Sequence, residues 1–292
     1  MAYGQHQSFY LRDRWLSKAF RHIEKDERFF YDDEAFEKIG LGKNMVKSLR
    51  FWVVATNVVS ESYNEQRKKV HSITNFGYLV EKHDKFIQFN ETAAVLHYHL
   101  AKEKEPGTVW YWFFNILNET MTTKEELHNL FKYWVNLNEE KKVSDNSLKR
   151  DIDCLIKLYT SGSSLDDPEE VIRSPLQKLG FIKERKGVIY KQTIRSEDIG
   201  LSALMYVLLD YQSNNEVETI TVDEIASSEG LWGKVFSMDR SSIIDGLNQL
   251  AKHPKYPLVF TRTNNLDTVR LPEISALGFL ESEYIRKVET LI

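Results

Sequence analysis

The chain has 292 residues, is 42% hydrophobic and carries a net charge of −4, with 36 Phe, Trp and Tyr residues to build a core, so it is not a disordered chain. Its length suits two or three domains of ordinary size. The single cysteine, Cys154, excludes an intramolecular disulfide and any CxxC redox or zinc site. No secretory signal or apolar run of bilayer length is present, so no membrane role and a cytoplasmic setting are expected.

Charge divides unevenly along the chain. Residues 1–150 hold 23 Lys and Arg against 21 Asp and Glu, whereas residues 151–292 hold 16 against 22. The N-terminal half is therefore the better electrostatic candidate for a polyanion.

The spacing of Trp15, Ala19 and His22 or Ile23 predicts an amphipathic helix that mixes aromatic residues with the bases Arg12, Arg14 and Lys18. Asp32-Asp33-Glu34 then suits the positive end of a short helix, which Gly40 and Gly42 break. The next helix carries an apolar stripe of Met45, Leu49, Trp52 and Val53 and a polar face of Lys43, Asn44, Lys47 and Arg50. Residues 60–90 are polar and then β-prone, and residues 75–80 read either as a short wing or as a helix start. Residues 91–101 and 108–118 read as helices. The run Trp110–Leu117 reads as core, with an exposed base-stacking platform as the functional alternative.

Thr123 and Glu126 have the spacing of a capping box, and Ser144 precedes a helix with Leu148, Ile152, Leu155, Ile156 and Tyr159 on its buried stripe. Asn146, Lys149 and Arg150 lie on its other face. Cys154 falls in the same apolar rhythm and reads as a small core residue. Ser161–Pro168 is a loop by composition, and the residues around Lys186-Gly187 form a hairpin. A second capping box, Thr221 with Glu224, opens a third unit. Asp239 caps the helix carrying Ile243, Leu247 and Leu250, and a hairpin turning at Asn264-Asn265 follows. Because Arg240 is the only base on that helix, this unit reads as scaffold or protein-binding surface.

The expected fold is mainly α with small β-hairpins, arranged as tandem winged-helix or helix-turn-helix units. The expected domains span 1–120, 121–195 and 196–292. DNA is the expected ligand: Lys and Arg at helix N-terminal turns reach phosphates, and Asn44 or Asn146 can bond an adenine edge. A merely solvated helix face is the plainer reading of any one of these helices. No GxxxxGK[ST] loop predicts ATP hydrolysis, and His97 and His99 point to different sides of a helix, so they do not share a metal. Nuclease chemistry needs carboxylates to hold Mg²⁺. Asp32 and Asp33 are the candidate metal ligands, with helix capping as their plainer role. Asp151 and Asp153 diverge on their helix. Asp167 with Glu184 and Lys186 only loosely matches the Asp…Glu-x-Lys pattern of restriction nucleases.

Three segments carry a resemblance to a known family. They run from His6 to Lys18 (His6-Gln7-Ser8-Phe9-Tyr10-Leu11-Arg12-Asp13-Arg14-Trp15-Leu16-Ser17-Lys18), from Leu41 to Trp52 (Leu41-Gly42-Lys43-Asn44-Met45-Val46-Lys47-Ser48-Leu49-Arg50-Phe51-Trp52) and from Ser144 to Leu155 (Ser144-Asp145-Asn146-Ser147-Leu148-Lys149-Arg150-Asp151-Ile152-Asp153-Cys154-Leu155). The chain resembles an uncharacterised-domain family encoded beside DNA phosphorothioation enzymes, and within it the DNA-nicking component of the Ssp system. The family often has His-Glu-Thr-Phe where this chain has His6-Gln7-Ser8-Phe9, so a carboxylate is missing and no catalytic residue is assigned there.

The resemblance implies a Mg²⁺-dependent nickase acting in DNA phosphorothioate modification and anti-phage defence. It opens one strand so that partners exchange oxygen for sulfur. The implied partners are a cysteine desulfurase, an ATP pyrophosphatase-like sulfur carrier and an ATPase. A non-catalytic DNA-binding subunit that recruits those enzymes is the alternative, and a transcriptional regulator comes third.

Overall fold

The computed structural model describes residues 3–160, 173–263 and 266–291. Helix α1 (Trp15–Ile23) buries Trp15, Leu16, Ala19, Phe20 and Ile23. Helix α2 (Ala35–Ile39) ends at Gly40, whose φ of 66° is the left-handed cap that a residue without Cβ adopts freely. Helix α3 (Lys43–Ala55) follows, turning Val46, Leu49, Trp52 and Val53 inward. Its stripe starts one residue later than the sequence spacing suggested, with Met45 only half-buried.

A two-stranded hairpin, β1 (Val59–Tyr63) with β2 (Lys69–Ile73), leads into α4 (Asn75–Asp84). The ambiguous residues 75–80 are therefore helical. The Thr74 hydroxyl accepts the Gly77 N–H at 2.9 Å, and a Cβ at Gly77 would lie 2.0 Å from the Val58 carbonyl oxygen.

Helices α5 (Asn90–Ala101) and α6 (Thr108–Tyr111) come next, the latter running on into a π-helical turn at Trp112–Ile116. Trp110, Trp112, Phe113 and Phe114 are all buried, so this stretch is core and not an exposed stacking platform. Then β3 (Met121–Thr123), α7 (Lys124–Asn138), α8 (Asp145–Tyr159), β4 (Ile182–Arg185) and β5 (Val188–Lys191) make a sheet of order β3-β5-β4. Thr122 opposes Ile189, and Arg185 opposes Val188. The capping box of Thr123 and Glu126 is formed, whereas Ser144 occupies its cap position without a side-chain bond. Lys186 (φ 50°) and Gly187 (φ 76°) give the two left-handed residues of a two-residue hairpin turn. Lys191 reaches back from the sheet and donates to the carbonyls of Phe113 (2.8 Å) and Leu117 (3.1 Å) at the end of the π-helical turn. Burial pulls its ammonium down to about 8.

Helices α9 (Ser196–Ile199) and α10 (Leu201–Asn215) precede a second copy of that arrangement. It comprises β6 (Thr219–Thr221), α11 (Val222–Ser227), α12 (Trp232–Val235), α13 (Arg240–Leu250), β7 (Val259–Arg262) and β8 (Asp267–Arg270), in sheet order β6-β8-β7. Thr221 and Glu224 form the capping box, and Asp239 accepts the Ser242 N–H at 2.8 Å. Helix α14 (Ala276–Leu291) closes the chain. The architecture is mainly α with small antiparallel sheets. A strand, then helices, then a hairpin that pairs with the strand occurs twice, with two α-helices between in the first copy and three in the second, while the first unit carries only a two-stranded sheet among the described residues. The turn expected at Asn264-Asn265 and the loop expected at Ser161–Pro168 lie outside the described residues. No helix among those described is long and apolar enough to cross a membrane.

One apolar cluster runs from Leu11 to Tyr284. At its centre α5 buries ten of its twelve residues and packs on α10, which buries Ser202–Leu209 without interruption. The two histidines of α5 do point apart. His97 Nε2 donates to the Val235 carbonyl at 2.6 Å, and Nδ1 accepts the Tyr159 hydroxyl at 2.6 Å. His99 Nε2 donates to the Tyr206 hydroxyl at 2.9 Å. Burial lowers both rings to about 3.

A ring kept neutral in the fold but protonated at about 6.5 when unfolded binds fewer protons folded than unfolded. Stability should therefore fall as pH drops below about 6.5, by about 1.4 kcal/mol per unit for each such ring. His99→Gln, which cannot titrate, should show a slope shallower by that amount in urea unfolding between pH 6 and pH 4.5. Equal slopes for variant and wild type would count against a neutral buried His99.

Candidate nucleic-acid interface

The first turn of α3 contains no acid; Lys43 and Asn44 are exposed there and Lys47 is exposed at the start of the next turn. Free N–H groups and lysines at one helix end attract anions. Neither Lys43 nor Lys47 has an ion-pair partner among the described residues; Lys43 lies 4.6 Å over the Phe36 ring. Arg50, one turn further on, is half-buried and lies 5.1 Å over the Tyr31 ring. Tyr31 donates to Glu61 at 2.9 Å, and Lys69 pairs with the same carboxylate. Burial raises Glu61, but the bonds from Lys69 and Tyr31 outweigh it and hold the carboxyl below its ordinary range. Arg50 thus points at a place already holding negative charge.

Helix α8 also shows its polar face. Asn146, Lys149 and Arg150 are exposed, but Asp145 pairs with Lys132 (2.8 Å) and Lys149 (3.2 Å). Those two lysines draw the Asp145 carboxyl down to about 2. Of Lys149 and Arg150, only Arg150 is free of an ion pair among the described residues. On α13, Arg240 pairs with Asp223 and lies 3.8 Å from Asp267, which agrees with the weak basic face read from its sequence.

The N-terminal segment ties α3 to α8. Ser48 Oγ and Trp52 Nε1 of α3 both donate to the Phe9 carbonyl, at 3.1 and 2.9 Å. On the other side the Gly4 N–H donates to Asp151 Oδ1 of α8 at 2.9 Å. His6, 1% exposed, sits between, against the rings of Phe51 and Trp110. The Ser8 N–H donates to His6 Nδ1 at 3.1 Å, so Nε2 carries the proton and donates to Asp151 Oδ1 at 2.7 Å. Burial raises the Asp151 carboxyl, opposed by His6 and the Gly4 N–H. This pair was not foreseen, because 145 residues separate its members.

The bases near α1 go three ways. Arg12 is 6% exposed and lies over the rings of Phe9, Tyr10 and Trp15, so it is a packing residue and not part of a DNA-facing surface. Lys18 is half-buried and donates to the Ile39 carbonyl at 3.3 Å. Arg14 is exposed and turned toward Phe86.

The acidic candidates do not converge. Asp32 accepts the Glu34 N–H at 2.8 Å and pairs with Lys38, whose bond holds the carboxyl below its ordinary range. Asp33 is exposed beside it. Asp153 pairs with Lys124 at 2.5 Å, away from Asp151. Among the described residues no group of three or more His, Cys, Asp and Glu could hold a metal ion. Lys186 stands in the hairpin turn, and Asp167 lies outside the described residues. Cys154 is buried.

The fold is shared with solved structures. Across 98% of this chain and 87% of the other, it superposes on the crystal structure of magnesium-bound SspB with a TM-score of 0.86 at 21% identity. A second SspB crystal structure gives 0.85 over the same shares, also at 21% identity. No curated protein matches the sequence. Residues 3–284 match the family model described as "Protein of unknown function (DUF4007)", and the chain belongs to that family.

Asp151→Ala removes the acceptor of two N–H groups and should cost about 1–3 kcal/mol, as stranded buried donors do. It should also speed tryptic cleavage at Arg14 by freeing the N-terminal segment. An unchanged urea midpoint together with unchanged cleavage would show that this pair does not hold the segment.

Proposed function

We propose that this chain is a DNA-engaging member of an SspB-type DNA phosphorothioation system, acting in phosphorothioate modification and anti-phage defence, with α3 as its duplex contact. The observation that carries the reading is the start of α3, where Lys43 and Asn44 in the first turn and Lys47 just beyond it stand exposed with no acid in that turn. In this reading the two units in which a strand, helices and a hairpin follow one another are winged-helix modules. Arg150 on α8 adds a second phosphate contact, and α13, with its base paired, serves as scaffold. The partners in this reading are a cysteine desulfurase, an ATP pyrophosphatase-like protein and an ATPase.

Strand nicking is the chemistry that the sequence resemblance to the DNA-nicking component of the Ssp system implies, and a magnesium-bound SspB structure of the same fold is in keeping with it. The described residues do not fit a Mg²⁺ site. Asp32 is held by Lys38, Asp153 by Lys124, and Asp145 by Lys132 and Lys149, and these carboxylates stand apart. No step is routed through a metal here.

Lys47→Ala should weaken binding to a 20-base-pair duplex and flatten the salt dependence by about 0.9 in log–log slope, as loss of one phosphate contact does. Arg50→Ala should have a smaller effect, because Tyr31 and Glu61 already occupy it. If Lys47→Ala matches wild type in fluorescence anisotropy across salt, α3 is not the contact.

Nicking is tested on supercoiled plasmid with Mg²⁺ and with EDTA. Open-circle product confined to Mg²⁺ supports the nicking reading, and its absence makes the chain a binding subunit that recruits the modification enzymes. Asp32→Ala/Asp33→Ala should leave the outcome unchanged. Loss of product in that variant would return the metal to Asp32 and Asp33.

A further inference from the structure

A cleft of about 600 Å³ opens where the start of α1, the connection from α4 to α5 and residues 173–178 meet. Its walls carry Arg14, Arg173 and Lys178 against one carboxylate, Asp13, in a chain whose net charge is negative. Its volume lies within the range of small-ligand sites.

Two strained backbones line this cleft. Arg14 (φ 65°) and Ile87 (φ 52°) both hold left-handed conformations. A β-branched residue avoids that region strongly, and such strain persists where surrounding contacts impose it. Lys178 supplies those contacts, its Nζ donating to the carbonyls of Ile87 at 2.5 Å and Gln88 at 3.0 Å. The Asp13 N–H donates to the Arg173 carbonyl at 3.2 Å, which fixes residue 173 against the start of α1.

Phe86 forms a side wall and is 44% exposed. The Arg14 guanidinium lies 5.9 Å from its ring centroid and the Lys85 ammonium 5.2 Å. An exposed ring with long cationic side chains over it stacks a nucleobase once those side chains swing from its face to the phosphate.

We propose that this cleft binds a phosphate-bearing nucleotide unit, with its base on Phe86 and its phosphate between Arg14 and Arg173. Lys178 is a positioning residue, since its ammonium is engaged by the carbonyls that shape the floor. The site goes beyond the duplex contact proposed for α3 and uses other residues. The unit can come from a single strand or from a free nucleotide.

The test uses the full chain and fluorescence anisotropy of a 5′-phosphorylated octathymidylate labelled at its 3′ end, competed with thymidine 5′-monophosphate. Phe86→Ala should weaken binding by about tenfold or more, as loss of one stacked base does. Arg173→Ala and Arg14→Asn should each flatten the salt slope by about 0.7. Asparagine is chosen at residue 14 because it tolerates the left-handed backbone. Arg240→Ala, on the scaffold helix α13 and outside both proposed contacts, should leave octathymidylate binding unchanged.

Competition by submillimolar mononucleotide identifies a free nucleotide as ligand. Binding of the oligomer without such competition identifies a strand. Absence of binding by either probe, or equal affinity in wild type, Phe86→Ala and Arg173→Ala, overturns the proposal. The duplex reading stands or falls separately on Lys47→Ala.

Discussion

The imidazole of His97 joins parts of the chain that the sequence presents as separate units. It lies on α5, takes a hydroxyl from Tyr159 at the end of α8, and gives its proton to the Val235 carbonyl at the end of α12. A buried polar ring costs stability unless both nitrogens are satisfied, so Tyr159 and Val235 must hold their places for α5 to remain buried. Around that ring stand Phe114, Phe181 and Phe236, each from a different element, which turns a polar bond into a packing centre. The interior of α5 therefore sets where the ends of α8 and α12 sit. Tail-like independence of the units is not available to a chain bonded in this way.

The N-terminal segment imposes a second constraint on the same body. It lies between α3 and α8, with Phe9 bonded to the first and Gly4 and His6 to the second. Lys47 is one turn before Phe51, which packs on His6, and Ser147 is one turn before Asp151, which bonds it. The exposed turns of the two helices are thus referenced to one short stretch of chain. A ligand touching both would meet surfaces whose separation is fixed by buried bonds and not by a flexible linker.

Local signals survived the passage from sequence to structure. Both capping boxes formed, because a Thr and a Glu three residues apart need only each other. The Lys186-Gly187 turn formed because a two-residue hairpin demands left-handed backbone at both positions, and glycine meets that demand at no steric cost. The polar face of α3 was legible from its 3.6-residue period. What the sequence hid was pairing at a distance. Arg12 looks like its neighbours Arg14 and Lys18 until the rings of Phe9, Tyr10 and Trp15 enclose it. The partnership of His6 with Asp151, and the meeting of Arg14 with Arg173, depend on segments well over a hundred residues apart. No periodicity encodes those meetings.

Pairing also decides how much charge each helix has to offer, which a count of Lys and Arg does not. Lys149 and Lys132 share Asp145, Arg240 has Asp223, and Lys69 has Glu61. Each of those cations would have to leave a carboxylate to reach a phosphate, and the exchange returns little in water, where surface pairs are worth about 0–1 kcal/mol. Lys43 and Lys47 face no such exchange among the described residues. A chain of net negative charge can hold a polyanion on this basis, because the surplus acid lies elsewhere and is screened beyond about 8–10 Å at physiological salt. Binding built on a few unpaired cations depends on salt less steeply than binding by a broad basic patch, and its selectivity must come from geometry, the property that the buried bonds of His97 and His6 supply.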